Sequence, residues 1–366
     1  MTQATWLIYG ANGYTGTIIA EEALRRGHRP VLAGRSAEKL RPLAERLGLE
    51  MLAVDLRDAD ALARALEPHA LVVHAAGPFV DTSAPMVQAC LATRTNYIDV
   101  TGEIVVFQHT LAQHAAAEQR EILLLSGAGF DVVPTDCLAL HVAQQLPNAT
   151  TLEIGIAGMT HASPGTTKSM LDGAVNGGLA RRDGVLVPQP VGKDARWLRF
   201  ADRERRVLAI PWGDLETAYR TTGIPNITTY SAFPRALVDI AALSWPLTAF
   251  FTPLLKPFLS QESVRQNLQR AVEARVQGPT EAQRKAGRSQ VWASASDAEG
   301  HSVEAWLETL EGYDFTAVAA VSCVEHTLAK KPVGALTPAL AFGKDFVLEI
   351  EGTTRHDDAP DYPVGH

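Results

Sequence analysis

Three glycines spaced three residues apart, Gly10, Gly13 and Gly16, follow directly after the strand-forming run WLIY. Because glycine has no Cβ, the backbone can turn tightly there. A pyrophosphate can then approach the N–H groups at the start of the next helix, whose dipole favours negative charge. The spacing GxxGxxG is one residue wider than the dinucleotide fingerprint GxGxxG, and a plain strand-to-helix turn is the alternative. The loop predicts cofactor contacts from these residues: Gly10, Asn12, Gly13, Tyr14, Thr15 and Gly16.

The next strand-forming run ends in AGRS, with Arg35 and Ser36 at its close. Proteins that bind NAD carry an acidic residue about 20 residues after the glycine loop, where it holds the ribose hydroxyls. A carboxylate there would repel a 2′-phosphate, whereas a guanidinium and a hydroxyl can pair with it. The sequence therefore favours NADP(H) over NAD(H), with an ordinary solvated charge as the alternative for Arg35.

Two further segments end strand-forming runs of the same series. Asp55 follows the third run, at a position suited to an adenine contact. The fourth run ends in AAGPF, a Gly-Pro turn that can pass close to a cofactor. The residues predicted to do so are Ala76, Gly77 and Pro78. Together the four segments predict a dinucleotide-binding domain.

The elements that must position these residues alternate between short apolar runs and amphipathic helices up to residue 130. One helix is predicted to begin after the N-cap Ser36 and to end at Gly48. Such alternation predicts βαβ units and a doubly wound parallel sheet. After Pro134 the strand-forming runs show period-two alternation, and DAEG at 297–300 predicts a hairpin turn. We therefore predict an α/β domain followed by an α+β domain with its own mixed or antiparallel sheet.

The predicted boundaries are 1–132 for the nucleotide-binding domain and 133–332 for a substrate and dimerisation domain. Residues 333–352 are predicted as a C-terminal helix that returns to the first domain, and the tail after Arg355 is expected to fray. The uncharged run Ile240–Leu255 is interpreted as a buried helix pair, a lid or a homodimer interface. A peripheral membrane-surface contact is the alternative, and a true span is disfavoured because prolines interrupt a run shorter than a span needs.

The composition excludes several classes of partner and compartment. A formal net charge of -8 argues against a nucleic-acid partner, because phosphate binding requires clustered lysine and arginine. The three cysteines are far apart and odd in number, so no disulfide framework is expected and a cytoplasmic location is predicted. The N-terminus lacks the pattern of a signal peptide. The eleven histidines show no metal-binding spacing, and no metal site is predicted.

Five motifs resemble those of the saccharopine dehydrogenase-like (saccharopine reductase-type) oxidoreductases: GANGYTG, AGRS, AAGPF, YIDVTGE at 97–103 and SGAGFDVVPTD at 126–136. Later segments, among them GGLARRDG, GPTEAQRKAGRS and GALTPALAFG, resemble the bacterial branch that includes the trans-acting enoyl reductases. The resemblance covers nearly the whole chain. It implies a Rossmann domain, a substrate domain inserted before a C-terminal return, and hydride transfer from NADPH.

The resemblance leaves the substrate open. Trans-acting enoyl reductases reduce a carbon–carbon double bond in acyl chains held on a separate polyketide synthase. Saccharopine reductases instead reduce the imine formed between glutamate and aminoadipate semialdehyde. Saccharopine carries three carboxylates, so its site needs several converging arginines. The candidates here are scattered and expected to be mostly solvated: Arg181, Arg182, Arg196, Arg199 and Arg235.

The uncharged run 240–255 suits an acyl chain better than a tricarboxylate. This favours an unsaturated acyl or lipid-like substrate, either small or carried by another protein, and a role in lipid metabolism. An imine reductase of amino-acid metabolism is the second hypothesis. A lipid- or membrane-associated protein that holds NADPH without turnover is the third.

The proton donor for such a reduction needs only one positioned acid or a water. Asp99 ends the fifth strand-forming run, at the sheet edge where ligands bind, and a loop-fixing hydrogen bond is its alternative role. Asp131 could pair with Asp136, although Asp136 or Thr135 is also typical of a helix N-cap.

Tyr14 and Lys168 are the remaining candidates for catalysis. Tyr14 lies within the glycine loop, where it acts on the substrate or is simply a packed ring. Lys168 lies in the run TTKSM, interpreted as a loop that closes on the substrate, with a surface lysine as the alternative. Cys137 lacks the partners of a nucleophile and is expected in the core.

Overall fold

The structure is a computed structural model that describes residues 5–158, 163, 167, 177–259, 261 and 278–362, with the side chains of 248 and 251–259 left out. The chain forms two compact units. The first comprises residues 1–133 and 312–351, and the second comprises residues 134–311 and 352–366.

The first unit is built on a sheet of seven parallel strands, numbered along the chain. They are β1 (Trp6–Tyr9), β2 (Val31–Gly34), β3 (Met51–Ala53), β4 (Leu71–His74), β5 (Asn96–Asp99), β6 (Leu123–Leu125) and β15 (Gly334–Leu336). Neighbours follow the order β15–β6–β5–β4–β1–β2–β3, so strand addition reverses between β1 and β4. Ligands of doubly wound sheets bind at the carboxyl ends of the strands beside such a reversal. The predicted fold class is confirmed.

The helices of the first unit begin and end where the sequence places its capping residues. The Ser36 hydroxyl accepts a hydrogen bond from the Lys39 N–H group at 3.4 Å, and Gly48 ends the same helix in the left-handed conformation with φ of +62°, both as predicted. The helices are α1 (Tyr14–Arg25), α2 (Ala37–Leu47), α3 (Ala59–Leu66), α4 (Phe79–Thr93), α5 (Ile104–Leu111), α6 (His114–Arg120), α11 (Gly312–Lys330) and α12 (Pro338–Phe342).

The chain returns to the first unit at Gly312, earlier than the predicted residue 333. Helix α11 packs against α1, and most of its apolar residues are buried there. Residues 312–332 were assigned to the second domain by the sequence, and that assignment is wrong. The segment predicted as a C-terminal helix, 333–352, instead begins with a strand, β15, which pairs with β6 and precedes the short helix α12. The sequence interpretation took the whole segment as helical and so missed this strand.

The second unit carries a mixed sheet of its own, as predicted. Its strands are β7 (Thr151–Ala157), β8 (Leu179–Arg182), β9 (Val185–Pro188), β10 (Ala195–Arg199), β11 (Glu204–Ala209), β12 (Asn226–Ala232), β13 (Arg288–Ser296), β14 (Ser302–Leu310) and β16 (Thr354–His356). The main order is β10–β11–β12–β7–β13–β14–β16, in which only β12 and β7 are parallel. Residue 296 pairs with 302, which confirms the hairpin turn at 297–300.

Four helices of the second unit are described: α7 (Val133–Gln145), α8 (Asp214–Thr222), α9 (Arg235–Leu259) and α10 (Glu281–Ala286). Because α7 begins at Val133, neither Thr135 nor Asp136 is its N-cap, and that interpretation is wrong. Asp136 is buried, and its Oδ1 atom accepts a hydrogen bond from the Thr221 hydroxyl at 2.5 Å.

The uncharged run 240–255 lies within one helix, α9, and not in a helix pair. One side of this helix is buried at Val238, whereas Leu243 and Phe250 are 84% and 68% exposed. The run is therefore not buried as a whole. Within the described part of the chain, no helix has the length and apolar character needed to cross a membrane. The lid, the homodimer interface and the membrane-surface contact stay predictions.

The tail after Arg355 does not fray before residue 362. His356 extends the sheet beside Trp306, and Asp357 Oδ1 lies 2.6 Å from His141 Nε2. The Tyr362 hydroxyl donates to the Phe200 carbonyl at 2.7 Å. Backbone pairing and these side-chain contacts outweigh the polar composition that predicted fraying.

The mixed sheet curls around Gly155 on β7. A Cβ at this position would lie 3.0 Å from Leu198 Cδ1 and 3.3 Å from the Trp292 ring, although Leu198 belongs to β10, at the far edge of the sheet. The Trp306 indole N–H donates to the Arg199 carbonyl at 2.9 Å, so β10 also contacts β14. The absence of a side chain on Gly155 lets the edge strand fold over the aromatic core.

Replacing Gly155 by alanine should therefore overpack this core. We expect Gly155→Ala to lower the free energy of unfolding by about 1–3 kcal/mol, because Leu198 and Trp292, on two different strands, must move to admit one methyl group. Denaturant unfolding followed by tryptophan fluorescence measures the change. Ser294→Ala, which adds no atoms to the adjoining strand, is the control. Equal stability of Gly155→Ala and wild type would contradict this account of the curl.

Candidate functional site

The glycine loop joins β1 to α1 through close backbone contacts. Gly10 has φ of +84°, and a Cβ on it would lie 2.7 Å from the Ala76 N atom in the turn after β4. A Cβ on Gly16 would overlap the carbonyl oxygen of Gly10. Gly13 is the N-cap of α1 and contributes no capping side chain. The loop thus forms a backbone cradle at the N-terminus of a helix, which suits a pyrophosphate.

The residues predicted for the adenosine end of the cofactor lie on the two strands beyond β1. Arg35 is exposed at the end of β2, and Asn12 Oδ1 lies 3.3 Å from the position that a Cβ on Gly34 would take. Ser36 accepts its capping hydrogen bond through oxygen, so its O–H group keeps the capacity to donate. These side chains leave a basic and hydrogen-bonding surface at the end of β2.

Asp55, predicted to contact adenine, makes an ion pair with a near neighbour. Its Oδ2 atom lies 2.7 Å from Arg57 Nη2, and its Oδ1 atom accepts from Arg57 Nε at 3.1 Å. The side-chain hydrogen bonds from Arg57 lower the pKa of Asp55 to about 2. The carboxylate is therefore ionised, and its charge is balanced locally by the arginine.

The turn after β4 contains a cis peptide bond between Gly77 and Pro78. The Thr82 hydroxyl donates to the Ala76 carbonyl at 2.6 Å and lies 3.0 Å from His74 Nε2. Since that hydroxyl has one proton, His74 Nε2 must donate to it. Burial lowers the pKa of His74 to about 3, so the ring is neutral at physiological pH. His74 and Thr82 thus fix the predicted cofactor turn.

Glu103 caps helix α4 and was missed by the sequence reasoning. Its Oε1 atom accepts from the Phe79 N–H group at 3.2 Å, and its Oε2 atom accepts from the Val80 N–H group at 2.7 Å. The N-cap residue, Pro78, offers no side-chain acceptor. A proline at an N-cap position is the sequence signal that could have prompted a search for a distant cap.

Asp99, a predicted catalytic residue, is fully buried and accepts four hydrogen bonds. Its Oδ2 atom accepts from the Tyr97 and Ser126 hydroxyls at 2.7 and 2.9 Å. Its Oδ1 atom accepts from the Thr101 and Gly127 N–H groups at 3.0 and 2.9 Å. Burial raises the pKa of Asp99 to about 6. The geometry supports the loop-fixing role, in which Asp99 connects the end of β5 to the end of β6. A substrate contact is disfavoured because the carboxylate is buried and both of its oxygens already accept two hydrogen bonds.

Asp131 is only partly exposed and lies against the loop that follows β5. A Cβ on Gly102 would be 3.0 Å from Asp131 Oδ2. Burial, and next the negative charge of Glu103, raise the pKa of Asp131 to about 6. An acid is most effective when its pKa lies near the working pH, so this value keeps Asp131 as a candidate proton donor. It is placed at the same edge of the sheet as the glycine loop.

Tyr14 packs against an aromatic ring that the sequence did not connect to the loop. The Tyr14 and Tyr313 ring centroids lie 4.9 Å apart with the planes at 82°. Thr316, one turn further along α11, accepts a hydrogen bond from the Phe130 N–H group at 3.0 Å. The N-terminal end of α11 therefore packs against Tyr14 of the glycine loop and is hydrogen-bonded to Phe130, the residue before Asp131. For Tyr14 this geometry favours the packed-ring interpretation.

The remaining predicted donor, Lys168, lies outside the described residues, as do its neighbours Thr166 and Ser169. Thr167 is described, and its hydroxyl donates to the Ser163 carbonyl at 2.9 Å.

Asp136 belongs to the second unit, where it accepts a hydrogen bond from the Thr221 hydroxyl. Cys137 is buried, which confirms its place in the core.

The arginines considered for a tricarboxylate substrate make contacts within the second unit. Arg181 is buried, contrary to expectation; its Nη2 atom lies 2.7 Å from Glu216 and its Nε donates to the Leu215 carbonyl at 2.6 Å. Arg182 donates to the Ile227 carbonyl and to the Thr228 hydroxyl. Arg196 makes an ion pair with Glu153, and Arg235 makes one with Asp239. The Arg199 guanidinium lies over the Tyr362 ring.

One group in the described part of the chain could approach a cation: Asp297, Glu299 and His301, in the turn between β13 and β14. Asp297 Oδ1 accepts hydrogen bonds from the backbone N–H groups of Glu299 and His301, and Asp297 Oδ2 lies 2.8 Å from His301 Nδ1. These contacts explain the conformation of the turn without a metal, and the prediction that the protein has no metal site stays a prediction.

Comparison with known proteins adds to this geometry. A family profile described as the saccharopine dehydrogenase NADP binding domain matches residues 6–125. The saccharopine dehydrogenase-like oxidoreductase of Rattus norvegicus is 28% identical over 252 residues, which are 59% of this chain and 58% of the rat protein. The first third of the chain therefore matches the saccharopine dehydrogenase NADP binding domain, and a longer part of it is similar to a saccharopine dehydrogenase-like oxidoreductase. Residues 6–125 of this chain are an NADP-binding domain, and NADP(H) is the cofactor that this domain indicates.

Two further similarities are narrower in what they show. The trans-acting enoyl reductase of Mycobacterium leprae (strain TN) is 34% identical over 140 residues, which are 36% of this chain and 33% of that protein. The matched segments thus span from a third to little more than half of these relatives. The apo saccharopine dehydrogenase (L-Glu forming) of Saccharomyces cerevisiae aligns with a TM-score of 0.60 over 95% of this chain and 96% of that chain, at 12% identity. This last similarity shows a shared fold.

The Asp99 contacts allow a direct test. An asparagine at this position would turn an amide NH2 group toward two of the four donors, so both would lose their acceptor. We expect Asp99→Asn to reduce the free energy of unfolding by about 2–5 kcal/mol. Thermal and denaturant unfolding measure it, with Asp60→Asn on the exposed side of α3 as the control. A stable Asp99→Asn protein that has lost turnover would instead support a catalytic role.

Proposed function

We propose that the protein is an NADPH-dependent reductase that acts on an unsaturated acyl or lipid-like substrate. The observation that carries the cofactor half of the proposal is the backbone cradle of Gly10 and Gly16, followed on the next strand by Arg35 in place of an acidic residue. When bound, NADPH supplies the hydride. The chain must then bind the dinucleotide, hold the substrate and deliver one proton.

Each predicted binding residue has a proposed role at the carboxyl edge of the sheet. The loop from Gly10 to Gly16, with Asn12 and Thr15, binds the pyrophosphate through its backbone. Arg35 pairs with the 2′-phosphate, and the Ser36 hydroxyl donates to it. Asp55 lies at the adenine end. The turn Ala76–Pro78, which adjoins Gly10, borders the nicotinamide end.

Asp131 is the proposed proton donor. Reduction of a double bond consumes a hydride and a proton, and a carboxyl group with a pKa of about 6 carries a proton in part of the molecules near neutral pH. Asp99 is unsuitable because four hydrogen bonds occupy its oxygens. Tyr14 and Lys168 stay secondary candidates, the first as a packed ring and the second without a described position.

The substrate class is inferred from charge and exposure in the second unit. A site for saccharopine needs arginines available to three carboxylates, whereas Arg181 and Arg196 pair with Glu216 and Glu153. Helix α9 presents exposed apolar side chains, among them Leu243 and Phe250. Both observations favour an uncharged acyl chain, and carrier-bound delivery or a membrane-surface contact through 240–255 belongs to the same proposal.

An imine reductase is the second candidate function, and the acidic edge of the first unit favours it. Glu103 and Asp131 lie close enough for the charge of one to affect the pKa of the other. Two carboxyl groups would stabilise a cationic iminium better than a neutral enoyl chain. Turnover with aminoadipate semialdehyde and glutamate, and none with enoyl thioesters, would decide for this candidate. Tight NADPH binding without turnover on either class would favour a binding protein.

The cofactor proposal predicts a selective effect of Arg35. Loss of a charge-assisted phosphate contact should weaken binding by about 10- to 100-fold. We expect Arg35→Asp to weaken NADPH binding by this factor and to leave NADH binding nearly unchanged. Fluorescence titration with both nucleotides measures the difference, and Arg41→Asp on the exposed side of α2 is the control. Equal NADPH binding by wild type and Arg35→Asp would remove this contact from the proposal.

The proton-donor proposal predicts a pH-dependent loss of turnover. A general acid is active when protonated, so wild-type kcat should fall as the pH rises through about 6. Asp131→Asn should lower kcat by about 10²- to 10⁴-fold and abolish this limb of the profile, with the NADPH dissociation constant unchanged. An unchanged profile in Asp131→Asn would assign the proton to another group or to water.

A further inference from the structure

Glu103 connects two parts of the carboxyl edge that are distant in sequence. Its carboxylate accepts hydrogen bonds from the Phe79 and Val80 N–H groups, at the start of α4. The residue before it, Gly102, lies against Asp131, at a distance that leaves no room for a Cβ without displacement of the carboxyl group. Glu103 therefore caps the helix that begins directly after the cofactor turn, and it belongs to the loop that borders Asp131.

The contact with α4 fixes more than a helix end. Helix α4 begins directly after the Gly77–Pro78 bond, so its first two N–H groups set the position of the turn whose Ala76 adjoins Gly10. The N-terminal end of the helix dipole favours a carboxylate there, in addition to the two hydrogen bonds. The Glu103 N–H group in turn donates to Thr101 Oγ1 at 3.1 Å, and the Thr101 N–H group donates to Asp99. A continuous series of hydrogen bonds therefore connects the buried Asp99, through Thr101 and Glu103, to the first residues of α4.

We propose that Glu103 is a positioning residue for Asp131, which it serves by fixing the Gly77–Pro78 turn and the Gly102 loop in one arrangement. This inference rests on the proposed function, in which Asp131 donates the proton. Glu103 also favours the protonated form of Asp131 electrostatically, because its negative charge adds to burial in raising the pKa of Asp131. One carboxylate thus places the donor group and favours its protonated form.

Two variants separate the effect of the Glu103 hydrogen bonds from the effect of its negative charge. Glu103→Gln keeps the side-chain length and one acceptor oxygen but removes the charge, whereas Glu103→Ala removes both hydrogen bonds. We expect kcat to fall by on the order of 10²-fold in Glu103→Ala, with partial recovery in Glu103→Gln and little change in KM for either. The falling limb of the pH profile should move to lower pH in both variants, which loss of stability alone would not cause.

A double-mutant cycle tests the link to Asp131. If Glu103 acts through Asp131, then Glu103→Gln should lower kcat no further once Asp131→Asn is present. Losses of kcat that multiply would overturn the proposal, and so would a Glu103→Gln protein with wild-type kcat and pH profile. Glu45→Gln, an exposed change on α2, is the matched control for loss of one carboxylate.

A readout that needs no turnover keeps the inference distinct from the proposed function. NMR titration of the labelled Asp131 carboxyl group should show its pKa falling toward the ordinary value in both Glu103 variants. An unchanged Asp131 pKa in a folded variant would overturn the electrostatic link. If wild type shows this link but binds no NADPH, the proposed function fails while the coupling of Glu103 to Asp131 stands.

Discussion

The close contact between the Gly10 backbone and the turn after β4 is the constraint on which the first unit depends. Strand addition reverses between β1 and β4, and the carboxyl ends of the strands beside such a reversal are where doubly wound sheets bind their ligands. Gly10 can approach Ala76 only without a side chain and with positive φ, and Gly16 must likewise lack one to pack on Gly10. A side chain on Gly10 would separate the glycine loop from the cofactor turn, and a side chain on Gly16 would push the start of α1 away from Gly10.

The polar residues at this edge differ in how their side chains are held. Asp99, at the end of β5, is hydrogen-bonded to Ser126 and Gly127 after β6. His74, at the end of β4, contacts Thr82 in α4, and Thr82 donates to the Ala76 carbonyl. Glu103 satisfies a helix terminus that the local sequence, with proline as the N-cap, cannot satisfy itself. Asp131 differs from these residues because it combines partial exposure with a raised pKa. This combination is the basis for proposing Asp131 as the proton donor.

The second unit is organised by different interactions. Its mixed sheet curls so that Leu198 and the Trp292 ring meet over Gly155, and the resulting core is rich in aromatic side chains. Its arginines contact acidic, carbonyl and aromatic partners of the same unit. Guanidinium groups engaged in this way stabilise the unit and are costly to redirect toward a substrate. The apolar side chains exposed on α9 are the contrasting feature, and they motivate the choice of an acyl substrate over a tricarboxylate.

The sequence by itself determined the parts of the protein that depend on local pattern. Alternation of short apolar runs with amphipathic helices predicted six of the seven strands of the parallel sheet, and glycine spacing with Arg35 predicted the NADP-binding edge. The hairpin at 297–300 and the ends of α2 were predicted for the same reason, since turn and cap residues act on their immediate neighbours.

Only the tertiary structure decided the contacts between residues that are far apart in the chain. β15 was missed because it pairs with β6, a distant strand, and its own segment was interpreted as helical. Helix α11 was assigned to the wrong domain because its partner α1 lies almost three hundred positions away, as the Arg26–Ser322 separation of 296 shows. The roles of Asp99 and Glu103 could not be separated in the motif YIDVTGE, where both are simply acidic. Asp99 is buried and accepts four hydrogen bonds, which supports a structural role. Glu103 instead caps the start of α4, 24 and 23 residues earlier in the chain. Such assignments depend on which groups the fold brings within hydrogen-bond distance, and a linear pattern does not contain that information.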